Sequence, residues 1–247
     1  MLRTGRDAAA PRHLLVRLGR DRPRLALAAH YDRYPGSPGV LDNSCACLQL
    51  VDFAARIAAL GPAAPPLLIA FTDAEEAPGG EGGAGKQGSY SLARALRSRG
   101  LSSPAGGLGR GLPVLVLDVT GRGDRLILSS APGDLLARHG MSGSRAAAGH
   151  RGLVELARRA SDRAMLGRPP RLPLPWSDDL GLVLGGLPAL VVSLLPAAEL
   201  AGLGAGLRPA TWEFLHSPDD GPGLAEEGAF ALMARFLDAV AAELSPR

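Results

Sequence analysis

The chain has 247 residues, enough to bury one large core, and its 46% hydrophobic and 21% charged residues exclude a disordered polymer. Its formal net charge of +3 comes from arginines scattered along the sequence, and aromatics make up only 4% and do not cluster with them, which argues against a nucleic-acid surface. No apolar run approaches the roughly 20 residues of a membrane helix, and the opening "MLRTGRDAAAPRHLLVRLGRD" lacks the apolar centre of a secretory signal.

In chain order, short runs rich in Val, Leu and Ile predict strands at 13–18, 24–29, 66–72, 113–119, 125–129 and 188–195. Longer helical patterns fall at 43–60, 88–99, 150–162 and 224–244, the last with Phe230, Leu232, Met233, Phe236, Leu237 and Val240 at core-facing spacing. The alternation predicts an α/β fold: a mixed, mostly parallel central sheet flanked by helices on both faces, with residues 1–247 as one domain. The first two strands are expected to form a hairpin through "GRDRP". Glycine-rich segments at 79–88, 103–111 and 201–206 read as surface loops; Gly80, Gly82 and Gly85 spell GxGxxG but open no helix after a strand, so a dinucleotide site is not expected. Cys45 and Cys47 are too close for an ordinary disulfide and too few for a structural zinc site, and read as small buried residues.

Ligands of open α/β sheets collect at the carboxyl ends of the strands, and there this chain places polar side chains with metal-binding capacity. "LALAAHYD" ends with His30 and Asp32, "LLIAFTDAEE" with Asp73, Glu75 and Glu76, and "VLVLDV" with Asp118; Asp42 in "GVLDNSC" and His216 in "FLHSPDD" lie on connections. Each residue alone has an ordinary reading: a satisfied histidine, a helix N-cap at Asp42, a solvated first helical turn at the glutamates. Their convergence does not, because like charges about 4 Å apart repel by about 4 kcal/mol at an effective dielectric of 20. A divalent cation removes that cost, and mixed imidazole–carboxylate ligation suits Zn²⁺. With Asp42 bridging two ions, His30 and Asp118 would complete one site and Glu76 and His216 the other. Glu75 is then free to act as general base.

In this order the motifs "AAHYD", "LDNSC", "EE" followed by "GSY", "LDVTG", "WSDDLGLVLGGLPAL" and "HSPDD" resemble the family-28 zinc metallopeptidases, which include aminopeptidases and glutaminyl cyclases. The resemblance runs from about His13 onward. It implies an aminopeptidase that hydrolyses N-terminal residues from peptides with a free amino terminus. Two zinc ions would be held by His30, Asp42 and Asp118, and by Asp42, Glu76 and His216. Glu75 matches the family's general base, Asp32 the carboxylate that orients the zinc-binding histidine, and Asp220 an orienting aspartate after His216. The pocket for the first substrate side chain is expected from loops around 79–88, 140–150 and 196–212.

The same resemblance carries a second reading. The tract between Glu76 and Gly88 is longer than in many aminopeptidases and is similar to that of glutaminyl cyclases. In those, one zinc is held by the equivalents of Asp42, Glu76 and His216, while Asp118 and Asp178 form a carboxylate network. A third reading is a noncatalytic, metal-stabilised relative. "DNSCA" stands for the family's glycine-containing "DNASG", "SDH" becomes Ser177-Asp178-Asp179, and no tyrosine lies just upstream of it. The helices that precede the first strand in many relatives have no counterpart here. The chain as given therefore reads as cytoplasmic, or as secreted or periplasmic if sequence precedes it; no nucleic-acid or membrane partner is expected, and the oligomeric state is open. His139 and His150 read as solvent-facing, and His13 as a strand residue without ligand-like neighbours.

Overall fold

The computed structural model describes residues 1–4, 10–76, 87–100, 111–175 and 177–244. The expected glycine tract with Gly80, Gly82 and Gly85, and most of 103–111, lie outside the described residues. The strands are β1 (Leu2–Arg3), β2 (Arg12–Leu18), β3 (Leu25–His30), β4 (Leu67–Thr72), β5 (Val114–Leu117), β6 (Arg125–Ser129), β7 (Arg171–Leu172) and β8 (Ala189–Leu195). They form an eight-stranded sheet in the order β1-β2-β4-β3-β5-β8-β6-β7. Strands β4, β3, β5 and β8 run parallel, while β2 on one side and β6 on the other are antiparallel to this block.

Helices cover both faces: α1 (Cys45–Ala59), α2 (Gly88–Ser98), α3 (Ala131–Arg138), α4 (Arg145–Arg163), α5 (Asp178–Leu184), α6 (Ala197–Gly204), α7 (Thr211–Phe214) and α8 (Glu227–Leu244). Strand side chains alternate between faces, so β3 feeds two cores at once. Leu25, Leu27 and Ala29 pack with Leu50 and Phe53 of α1, Leu153 of α4 and Phe236 of α8. Ala26 and Ala28 pack with Leu92 and Leu96 of α2 and Leu182 of α5. Burying a side chain such as Phe236 contributes about 1.5–3 kcal/mol. Among the described residues, no helix is long and apolar enough to cross a membrane.

The hairpin expected through "GRDRP" does not form, because β4 lies between β2 and β3. Every residue of β3 is buried, which demands a neighbour on each edge, whereas β2 alternates like an outer strand. Gly19 (φ 74) turns the chain directly against the carbonyls of Ala64 and Pro65, where an added Cβ would sit 2.8 Å away; the connection thus crosses the segment that enters β4. Helix α4 starts five residues before its expected bound, since the Ser144 hydroxyl accepts a hydrogen bond from the Ala147 N–H and caps it. The segment 201–206, expected as a loop, is helical to Gly204. Leu200 and Leu203 pack against the second core and offset the cost of the helical glycines.

Candidate metal centre

The parallel strands end together, and each end delivers a polar group. His30 closes β3 in register with Thr72, which closes β4. Beyond Thr72 the chain turns at Ala74 (φ 61) to present Glu75 and Glu76, and Asp118 follows β5 just before Val119 (φ 51). Asp42 sits in the Val40–Ser44 segment that leads into α1, where the Asp42–Asn43 peptide is cis. Asn43 anchors that segment to the sheet by donating from Nδ2 to the Leu117 carbonyl at 2.9 Å. His216 follows α7 and is itself left-handed, with φ 60. Of the four non-glycine residues with positive φ among those described, Ala74, Val119 and His216 lie here. Such conformations cost on the order of 1–3 kcal/mol each and persist where the surroundings impose them.

Asp42 is the hinge of the cluster. Its Oδ1 lies 2.9 Å from His30 Nε2 and its Oδ2 lies 3.1 Å from His216 Nε2. Asp118 Oδ1 is 3.8 Å from His30 Nε2, and Glu76 Oε1 is 2.9 Å from His216 Nε2. Donor atoms of His30, Asp42 and Asp118 lie within 4.8 Å of one another, as do those of Asp42, Glu76 and His216, and of His30, Glu75 and Glu76. Asp118 Oδ1 is buried with no hydrogen-bond partner. This orphaned oxygen, beside imidazole nitrogens and further carboxylates, fits a bound divalent cation.

The electrostatics carry the same message. Burial would lower the His30 pKa, but the facing carboxylates of Asp118, Asp32 and Asp42 hold it well above its ordinary value. His216 is raised to about 9, chiefly by its bond to Asp42. Burial would raise Asp42, yet its bonds to both histidines hold it well below the usual carboxylate range. Glu75 is pushed up to about 10 by burial, with the charges of Asp178, Asp118 and Glu76 adding to it. Glu76 rises to about 7 through burial and the charge of Asp42. In the cation-free protein, protons therefore hold together groups that repel when all are ionised.

Neighbours fix the geometry. The main-chain oxygen of Asp32 lies 3.1 Å from His30 Nδ1, and its carboxylate accepts from the N–H groups of Glu75 (3.2 Å) and Glu76 (2.8 Å). Asp32 thus joins the His30 strand end to the glutamate turn. The carboxylate of Asp220 accepts from the N–H groups of Leu41 (2.7 Å) and Asp42 (3.2 Å), so it braces the Asp42 segment. Asp178 is fully buried, accepts from the Thr72 hydroxyl and is shifted upward by burial. Asp179, equally buried, is raised to about 8 by burial and the charge of Asp118.

All nine candidate residues of the sequence, Glu75, His30, Asp42, Glu76, Asp118, His216, Asp32, Asp178 and Asp220, are therefore at or against this edge. Two participants, Gln87 and Tyr34, had no sequence signal, and a third, Asp179, was read only as a departure from the family motif. Gln87 donates from Nε2 to Glu75 Oε1 at 3.0 Å. Tyr34 stacks on His216, and Asp179 is buried beside Asp118. Gln87 comes twelve residues after Glu75, and only the fold returns it.

Other expectations are corrected. Asp42 does not cap α1, whose N-cap is Ser44. His150, expected in solvent, is buried, with Nδ1 3.0 Å from the carbonyl of Ala189. Ala189 starts β8, so the 140–150 segment ends, at His150, against the amino edge of the parallel strands, opposite the candidate metal centre. His139 is exposed as expected. His13 is buried and its pKa falls to about 4 through burial, with Nδ1 accepting from the Asp73 N–H at 3.3 Å.

A mixed α/β sheet with histidines and carboxylates gathered at its carboxyl edge defines a class, that of proteins with a candidate metal site at the sheet edge. The particular family follows from sequence: residues 14–164, more than half of the chain, match the model of Peptidase family M28, and the chain belongs to this family of peptidases. Solved structures share the fold. The Legionella pneumophila LapA aminopeptidase aligns with TM-score 0.68 at 16% identity, covering 99% of this chain and 58% of that one. The zinc aminopeptidase BSAP from Bacillus subtilis aligns at 0.66 and 17%, covering 96% and 50%. A Macrostomum lignano glutaminyl cyclase aligns at 0.66 and 19%, covering 96% and 74%. The chain spans between 48% and 58% of the first aminopeptidase chains it matches. No curated protein sequence matches it significantly.

Proposed function

We propose that the protein is a zinc-dependent aminopeptidase that removes N-terminal residues from peptides with a free amino terminus. The observation that carries this reading is Asp42, whose two carboxylate oxygens face two different histidines at 2.9 and 3.1 Å. A carboxylate so placed can serve two ions. His30 and Asp118 would complete the first site, and Glu76 and His216 the second. Zinc bound there would polarise the scissile carbonyl and acidify water.

The chain's own residues supply the proton chemistry. Glu75 takes the proton of the attacking water at its carboxylate and delivers it to the amine nitrogen of the leaving peptide. Gln87 holds Oε1 of that carboxylate in place. Burial keeps the base away from bulk water and favours its protonated form, and the charge of His30 opposes that shift. Asp32 sets the direction of the Glu75–Glu76 pair through their two backbone amides. A free amino terminus would be recognised by the acidic groups of the site.

A second reading, a single-ion glutaminyl-peptide cyclotransferase, is favoured by the fact that Asp42, Glu76 and His216 make a complete three-donor set by themselves. Measuring metal content alongside activity on an aminoacyl chromogenic amide and on a glutamine-initiated peptide separates the two. The aminopeptidase reading expects hydrolysis that is lost to a chelator and restored by Zn²⁺. Pyroglutamate formation without hydrolysis selects the cyclase, and neither activity overturns both.

A further inference from the structure

His216 is the least protected member of the cluster: its side chain is 49% exposed, whereas that of His30 is 1% exposed. The χ2 torsion of histidine is broad and nearly two-fold, so packing must set the plane of the ring. For His30 the sheet supplies that packing. For His216 one ring face is covered by Tyr34, with centroids 4.7 Å apart and planes 10° from parallel.

The position of Tyr34 is prepared by its own loop. Tyr34, Pro35, Gly36 and Ser37 form a tight turn, with the Ser37 N–H donating to the Tyr34 carbonyl at 3.0 Å and Gly36 at φ 87. Proline second and a left-handed glycine third is the chemistry of a type II turn. Six residues on, the Val40 N–H donates to the Asp220 carbonyl at 3.2 Å and the Leu41 N–H to the Asp220 carboxylate at 2.7 Å. The loop carrying Tyr34 and the loop carrying His216 are thus fastened to each other at a second point. The stack is held from both sides.

We propose that Tyr34 is a positioning residue for His216. Its ring fixes the imidazole plane so that Nε2 faces Asp42 and Glu76 together, and it thereby sets the cation affinity of that half of the centre. The inference rests on the metallopeptidase reading. It concerns the aromatic face of the tyrosine and gives its hydroxyl no part.

The test is metal titration of the stripped full-length protein with Zn²⁺ and Co²⁺, by calorimetry and by the visible spectrum of the cobalt form, for wild type, Tyr34→Ala and Tyr34→Phe. Groups that orient a metal-bound imidazole typically change affinity by 10- to 100-fold. Tyr34→Ala is expected to weaken the His216-side ion by about tenfold, leave the His30-side ion unchanged and alter the cobalt spectrum of the weaker site. Tyr34→Phe should behave as wild type, and the melting point of the stripped protein should be the same in all three. Unchanged binding by Tyr34→Ala overturns the proposal while leaving the metal centre intact, as does equal weakening by Tyr34→Phe or of both ions. If wild type binds a single ion, the same loss in Tyr34→Ala supports the proposal and its absence overturns it. Wild type that binds no ion overturns the metal centre and this inference together.

Discussion

The two histidines of the centre meet their carboxylates in opposite settings. His30 ends a fully buried strand, faces Asp42 and Asp118, and is set by its pairing with Thr72 of β4. His216 stands in a connection, half-exposed and in a left-handed conformation, aligned by a stacked tyrosine and by bonds to Asp42 and Glu76. The first is a by-product of the sheet; the second is built by loops. Half of the centre is therefore as stable as the core, and half depends on local contacts that single substitutions can remove.

The glutamate pair straddles both halves and gives the largest expected effect. Glu75→Gln should lower turnover by about 10²- to 10⁴-fold with metal content unchanged. Glu76→Gln should lower metal content as well, read by metal analysis after gel filtration. Equal metal loss in both variants would remove the division of labour between the neighbours.

The comparison itself is tested by His30→Ala and His216→Ala in chemical denaturation of the metal-free protein. His30→Ala strips a buried partner from Asp42 and Asp118, and is expected to cost about 3–5 kcal/mol. His216→Ala removes a half-exposed one, and should cost about 1 kcal/mol or less. Similar losses in the two variants would mean that the sheet protects both sites alike.

A smaller effect concerns the floor of the His30 side. The Asp179 carboxyl titrates near 3.8 when unfolded and near 8 when folded, so between these values the folded state holds the extra proton. Its stabilising contribution is complete below pH 3.8 and is lost as pH rises through about 8. Asp179→Asn should then stabilise the metal-free protein by on the order of 1–3 kcal/mol at pH 8, with little change at pH 4. A pH-independent difference in melting temperature would contradict this.

Much of the centre was legible because chemistry and pattern break at the same places. His30, Asp118 and the Glu75–Glu76 pair stand where an apolar run stops, and such stops mark strand ends. Strand order was not legible, since β4 enters between β2 and β3, a pairing of distant segments that no local window records. Helix α6 was hidden because glycine content obscured the leucines that pack it. His150 looked polar by its neighbours and is buried by a helix face that meets the start of β8. Tyr34 and Gln87 matter only through residues far away in sequence, and so offered no signal of their own.

The grip of Asp220 on the backbone of Leu41 and Asp42 has a consequence for how the molecule comes into being. It ties residues 179 and 178 positions apart in a chain of 247. During synthesis the strands that carry His30, Asp118 and the glutamates emerge long before residue 220, but the Asp42 segment gains its brace only when the last connection arrives. The backbone hold on the Asp42 segment is then a late event of biogenesis, since it waits for residue 220 to be made.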